Sequence, residues 1–334
     1  MPRQGRLNVP GAIHHIIARG LERKVIFKDD ADRNEFLARL SHALEKTRFH
    51  CYAWVLMPNH FHLMIRSPGR PLSDLMRGLL TGYALYFNRR HRRSGYLYQN
   101  RYKSILCQEE PYFLELVRYI HLNPMRAKML TNLGSLDAYP WSGHSAILGR
   151  VRRKWQETGE VLARFGSNGK AAVQRYREYV ADGLPMGYRS DLMGGGLRRS
   201  AGGWEGVERL KQENERQRGD ERILGDGEFV NQALKSAEEK LKRAEAWKRQ
   251  GWNWEKLVKI ICERVGVKQE DLRKKGRQNA ISQAKGLLAY LGTKELGISG
   301  GFIAGYLQIS RPALIRNRVQ GEKLAQESDF KLLN

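Results

Sequence analysis

The sequence predicts an α+β domain followed by an all-α one. Strand-like and helix-like runs alternate over the first 150 residues. Two adjacent β-type runs at 52–57 and 60–66 are separated only by Pro58-Asn59, as in an antiparallel pair. From about residue 226 onward the recurring pattern is helical. The 334 residues suffice for two domains with cores of their own. The expected division is 1–150, a helical extension and linker over 151–225, and a helical domain over 226–334.

Taken in order, residues 12–19 read as a strand. Asp29 opens a helix with Asp32 three positions on, and Phe36, Leu37, Leu40, Ala43 and Leu44 form its apolar stripe. The strand pair follows. Residues 71–90 read as a helix after Ser73, with Leu75, Leu79, Leu80, Ala84 and Phe87 inward, and 97–108 as a strand. A further helix opens near Glu110-Pro111 and ends about Asn123, because Pro124 disfavours helical dihedrals before it. Its buried stripe is Phe113, Val117 and Ile120. Two helices on an antiparallel sheet make an α+β sandwich. Beyond it, 170–181 reads as helix, 193–203 as a glycine-rich connector, 205–221 as exposed charged helix or disorder, and 226–248 as one helix or two.

Alternation on the second strand of the pair sets His60, His62, Met64 and Arg66 on one face and Phe61, Leu63 and Ile65 on the other. Two neutral imidazoles so spaced can bind one divalent ion; a structural His-aromatic-His triplet is the plain alternative. On the later helix, Tyr119 and Asn123 lie one turn apart on the flank of the stripe. They can present a phenol and a carboxamide oxygen to one neighbouring site, or be an ordinary half-buried aromatic and a helix-end residue.

Net charge is +24 and the pI is near 10.1, which favours a polyanionic partner. The basic residues interleave with aromatics from Tyr83 to Lys103. Arg89, Arg90, Arg92, Arg93, Arg101 and Lys103 are candidate phosphate contacts, and the aromatics candidate stacking platforms, some of them packing instead. Cys51, Cys107 and Cys262 are widely spaced and suggest neither a zinc site nor a disulfide framework. No signal peptide and no membrane-length apolar stretch is evident, so a cytoplasmic protein is expected.

Several segments together resemble the single-tyrosine HUH transposases, in particular the REP-associated tyrosine transposases. They are Ala12-Ile13-His14-His15-Ile16-Ile17-Ala18-Arg19-Gly20, the run from Ala53 to His62, Tyr86 to His91, Tyr98 to Ser104, and Tyr119 to Ala127. The resemblance implies a ferredoxin-like antiparallel sheet with helices and a His motif on a central strand. It also implies cleavage of single-stranded DNA beside hairpins through a 5′-phosphotyrosine. Carried over, Tyr119 is the nucleophile, and His60 and His62 are ligands of Mg²⁺ or Mn²⁺. Asn123 is the candidate third ligand, at a position where relatives often carry Gln. Tyr112 is the alternative nucleophile. Family members are often homodimers, and the resemblance implies a bacterial, nucleoid-associated enzyme.

Near the C-terminus, Phe302 to Arg316 has helix-turn-helix spacing. Ile303, Ala304 and Leu307 would pack the first helix, Ile309 the turn, and Ser310 would cap the second. Arg311, Arg316, Asn317 and Arg318 would then face duplex DNA, with 281–291 as the supporting helix. The region resembles the DNA-binding domain of bacterial replication initiators; an ordinary three-helix bundle is the alternative. Three functions remain at this level: a DNA nuclease and strand transferase, a non-catalytic DNA-binding regulator, and an RNA-binding module.

Overall fold

A computed structural model describes residues 7, 9, 11–68, 70–167, 169–187, 189, 192, 220–274 and 279–327. The connector expected at 193–203 and all but the end of the charged stretch at 205–221 lie outside the described residues. The chain divides into two compact units, Met1–Lys235 and Ser236–Asn334.

The first unit opens with β1 (Ile13–Arg19), α1 (Asp30–Thr47), β2 (His50–Met57), β3 (His60–Arg66), α2 (Leu72–Arg90), β4 (Lys103–Cys107) and α3 (Glu109–His121). It continues through α4 (Asn123–Arg126), α5 (Leu133–Asp137), α6 (Gly143–Ile147), α7 (Thr158–Ala163), α8 (Gly169–Ala181) and β5 (Ile223–Leu224). The sheet order is β2-β3-β1-β4-β5. The first four strands are antiparallel neighbours, which is the βαββαβ order of a ferredoxin-like core. The expected antiparallel core carries one further strand: β5 pairs in parallel with β4, so the five-stranded sheet as a whole is mixed. Leu106 N and Gln108 N donate to Arg222 O and Leu224 O, satisfying β4 groups that would otherwise form an open edge. Local pattern could not reveal a two-residue strand more than a hundred residues from its partner.

Helices cover both faces. Asp29 caps α1 by accepting from Asp32 N at 3.0 Å. α1 and α2 bury Phe36, Leu40, Leu79 and Tyr83 against Ile16, Phe61, Leu63 and Ile65 of the sheet. On the other face, α3 and α8 bury Phe113, Val117, Ile120, Tyr176 and Val180 against Ile13, Tyr52, Val55 and Met64. Glu110 takes an extended ψ of 157° before Pro111, so the regular turns of α3 begin at the proline.

The strand expected over 97–108 is shorter. The register Ile17↔Lys103, if continued, would set Arg19 opposite Arg101. Instead Gln99 N donates to Arg19 O and Gly20 bridges to Tyr98, so the intervening residues loop out of the ladder.

α9 (Gly227–Arg249) is a single helix. The second unit then holds α10 (Trp254–Val265), α11 (Asn279–Lys294), α12 (Gly300–Tyr306) and α13 (Arg311–Glu327). Its core gathers Trp254, Leu257, Ile261, Leu288, Ile303, Leu307 and Leu314. α11 and α13 cross at Gly286 and Gly321, where a Cβ on Gly321 would lie 1.9 Å from Gly286 O. Among the described residues, no helix is long and apolar enough to cross a membrane.

Candidate active site

The β1–β3 register sets His15 opposite Met64, Ile17 opposite His62 and Arg19 opposite His60. Directly opposed residues share a face, so these side chains project toward α3. Tyr119 comes down from α3 onto the same group. Its ring centroid lies 5.9 Å from that of His15 and 6.1 Å from that of His62. The His60 and His62 centroids are 5.1 Å apart, as are those of His15 and His62. Three histidines and the tyrosine therefore form one cluster from three elements.

Each of the spaced histidines has one ring nitrogen occupied. His60 Nδ1 lies 2.6 Å from Asn59 Oδ1, so Nδ1–H donates and Nε2 keeps its lone pair. His62 Nδ1 lies 2.8 Å from His15 Nε2. With the shared proton on His62 Nδ1, Nε2 of His62 likewise faces away with a lone pair. Burial, aided by the Arg19 charge, lowers His60 to about 4. Burial, with His15, His60 and Arg19 adding to it, holds His62 well below its ordinary value. Both rings are thus neutral at neutral pH, the form a metal ion needs. Among the described residues, no group of three or more His, Cys, Asp or Glu side chains converges as a metal cage.

Asn123 is held against the tyrosine's own backbone. Its Nδ2 donates to Tyr119 O at 2.8 Å and to Ile120 O at 3.3 Å, so both of these bonds use the amide nitrogen and not Oδ1. Arg126 Nη1 also reaches Tyr119 O, at 3.4 Å, and its guanidinium lies 5.2 Å from the Tyr119 ring centroid. The helix predicted to end about Asn123 ends at His121, and Asn123 opens the single turn of α4. Tyr112, the alternative nucleophile, packs half-buried against the core beneath α3.

A second buried polar chain braces α3. Tyr176 Oη lies 2.8 Å from both His121 Nδ1 and His144 Nδ1. His144 Nε2 donates to Asp137 Oδ1 at 3.0 Å, and Arg177 Nε donates to Asp137 Oδ2 at 2.8 Å. Burial lowers both histidines, His144 less simply because Asp137 opposes the effect. Glu115, nearer the start of α3, accepts from Tyr179 Oη and Arg189, each at 2.8 Å.

The basic run divides by environment. Arg89, Arg92, Arg101 and Lys103 are exposed. Arg90 is engaged within the protein by Asp29 and Asp32. Arg93 donates to Asn88 Oδ1 at 3.3 Å and lies over Phe87. Of the interleaved aromatics, Tyr83, Phe87 and Tyr102 are buried, Tyr86 and Tyr98 half-buried, and Tyr96 exposed. In the second unit, Ser310 Oγ accepts from Ala313 N at 3.3 Å and so caps α13. Arg316 on α13 is exposed and Arg318 half-buried. Arg311 begins that helix, and its side chain lies outside the described residues.

Residues 8–123 match the IS200-like transposase family. The matched stretch contains His15, His60, His62, Tyr119 and Asn123, so the whole cluster lies within the part of the chain that is similar to that family. A solved REP-associated tyrosine transposase bound to a REP hairpin is similar at 15% identity, covering 47% of this chain and 98% of that chain, with a TM-score of 0.38. No curated protein matches the chain.

Sequence reasoning did not single out His15, Arg19 or Arg126. The first two share the alternation of Ile13 and Ile17 on β1, a signal that was legible. What was missing was the β1–β3 register, which turns that face into a partner of the His pair.

Proposed function

We propose that the IS200-like domain cuts and rejoins single-stranded DNA, at or beside hairpins such as repetitive extragenic palindromes, with Tyr119 as nucleophile. The observation that carries this reading is the approach of the Tyr119 ring to within 6.1 Å of the His62 ring, on the face shared by His60. The Tyr119 phenolic oxygen attacks the phosphorus as its proton leaves. The new O–P bond replaces the bond to the upstream 3′ oxygen, which takes up a proton as a free 3′-hydroxyl. The 5′ end of the downstream strand stays on the tyrosine. Attack by a 3′-hydroxyl reverses the step and rejoins DNA without an external energy source.

His60 Nε2, His62 Nε2 and Asn123 Oδ1 would hold Mg²⁺ or Mn²⁺, and the imidazole content favours Mn²⁺. When bound, that ion offsets phosphate charge and orients the phosphate for in-line attack. Arg126 keeps a positive charge 5.2 Å from the centre of the Tyr119 ring, beside the group that would attack the phosphate. Arg89, Arg92, Arg101 and Lys103 bind the sugar-phosphate chain; Arg90 and Arg93 are held by protein partners and contribute through loop geometry. In the second unit, Arg311, Arg316 and Arg318 on the Ser310-capped helix bind duplex DNA as a helix-turn-helix. The homodimer implied by the family resemblance is a separate proposal, to be read by sedimentation.

A second reading, a non-catalytic DNA-binding regulator, is favoured by the burial of Tyr119, which is 3% exposed. A denaturing gel with end-labelled, hairpin-flanked single strands separates the two. Catalysis gives a covalent adduct with Mn²⁺ that EDTA and Tyr119→Phe abolish and Tyr112→Phe preserves. Tight binding with no adduct under any of these conditions leaves the regulator.

A further inference from the structure

We propose that Tyr96 is a stacking platform for an unpaired base of the strand bound at the histidine end of the sheet. The proposal rests on the single-strand reading above and deepens it by naming where a base is held.

Tyr96 is 84% exposed, while its neighbour Leu97 is 4% exposed. A large aromatic left in water on a soluble surface is unremarkable when its loop is loose. This loop is fixed. Asn88 Nδ2 donates to Gly95 O at 2.8 Å, and Arg93 N donates to Asn88 O at 2.8 Å. Gly95 has a φ of +85°, a conformation that costs a side-chain-bearing residue dearly and sets the direction of the chain into Tyr96. Beyond Tyr96, Leu97 is buried and its carbonyl accepts from Leu21 N at 2.9 Å. The ring is therefore presented from a backbone already ordered on both sides, so little entropy is lost when a flat ligand covers it.

The position of the loop gives the ligand. Gly20 bridges to Tyr98, and Gln99 N donates to Arg19 O at 3.0 Å. On the other side of β1, Arg19 pairs with His60. Strand spacing then sets the backbone at Tyr98 and Gln99, two to three residues along from Tyr96, about 10 Å from that of His60. That is roughly the reach of one or two nucleotides from a phosphate at the histidines. Arg92 and Arg101, both exposed, flank the ring in sequence and supply cations for the adjoining phosphates. An exposed phenol ring on a segment that also carries exposed arginines suits a base with its phosphates, and stacking tolerates any base identity. Bases within a duplex have both faces covered by their neighbours, so the platform favours unpaired strands.

The test compares two probes of equal charge, labelled oligo(dT) and an abasic deoxyribose-phosphate chain of the same length. Binding is measured by fluorescence anisotropy in EDTA with the full-length protein. The wild type is expected to prefer oligo(dT) by about tenfold or more. Tyr96→Ala is expected to lose that preference while binding the abasic chain as the wild type does. Tyr96→Phe and Tyr96→Trp are expected to keep it. A Tyr96→Ala protein with the wild-type preference overturns the proposal. The Tyr119 adduct is scored on the same preparations. An adduct together with a preference indifferent to Tyr96 removes the platform alone; a wild type with neither adduct nor preference removes the single-strand reading as well.

Discussion

His15 Nε2 and His62 Nδ1 lie 2.8 Å apart in the buried centre of the sheet. The bond joins β1 to β3 and leaves Nε2 as the outward atom of His62. A histidine whose far nitrogen is held in this way has its tautomer and ring orientation fixed before any ion arrives. His15→Ala is expected to weaken Mn²⁺ binding by about 10- to 100-fold, read by calorimetry without DNA. His15→Gln, which keeps a polar partner, should recover part of it. Equal Mn²⁺ affinity in wild type and His15→Ala would mean that His62 needs no such support.

Tyr176 is the hinge pin of the buried chain behind α3, with both its hydrogen bonds to histidines. Removing its hydroxyl leaves His121 and His144 each short of a partner in a site closed to water. Tyr176→Phe is expected to cost about 1–3 kcal/mol in urea denaturation. A change within a few tenths would show that the chain is satisfied without the phenol.

Much of this arrangement was legible in the sequence, and the illegible parts share one cause. The β3 alternation, the Asp29 cap and the α3 stripe are local patterns, and each appears where its period put it. The ion pairs that occupy Arg90, the burial of Tyr83 and Tyr102, and the β4–β5 pairing depend on contacts distant along the chain. The helix end shows the limit of a local rule. Pro124 is tolerated in the first turn of a new helix, so the break falls at Leu122 and Asn123 begins the next turn. For the site, His60, His62, Tyr119 and Asn123 stood out from spacing and resemblance, whereas His15 emerges only from the strand register.

His14, on the opposite face of β1 from His15, gives a pH signature. Burial lowers it to about 4 from the ordinary 6.5. The unfolded chain therefore binds a proton between those values that the folded protein refuses. Stability contributed by the neutral ring is full above about pH 6.5 and is lost as pH falls toward 4, by about 3 kcal/mol in all. His14→Leu should flatten the decline in melting temperature between about pH 7 and pH 4.5. A slope identical to the wild type would place that acid sensitivity in other groups.

In the second unit, the α11–α13 crossing tolerates no Cβ at Gly321. Gly321→Ala is expected to destabilise the unit by about 1–3 kcal/mol or more, seen as faster hydrogen exchange over α11 and α13. Gly305→Ala, where nothing lies within 4 Å of the added carbon, is the control and should slow exchange slightly if it changes it. Unchanged protection in Gly321→Ala would mean that the two helices are not in close contact there.

The most direct measurement is mass spectrometry of the proteolysed adduct formed with Mn²⁺ and a hairpin-flanked single strand. The expected result is a nucleotide 5′-phosphate on the peptide containing Tyr119, absent from the one containing Tyr112 and gone in His60→Ala and His62→Ala. Modification of any other residue, or strand cleavage that leaves no nucleotide on the protein, would contradict Tyr119 as the nucleophile.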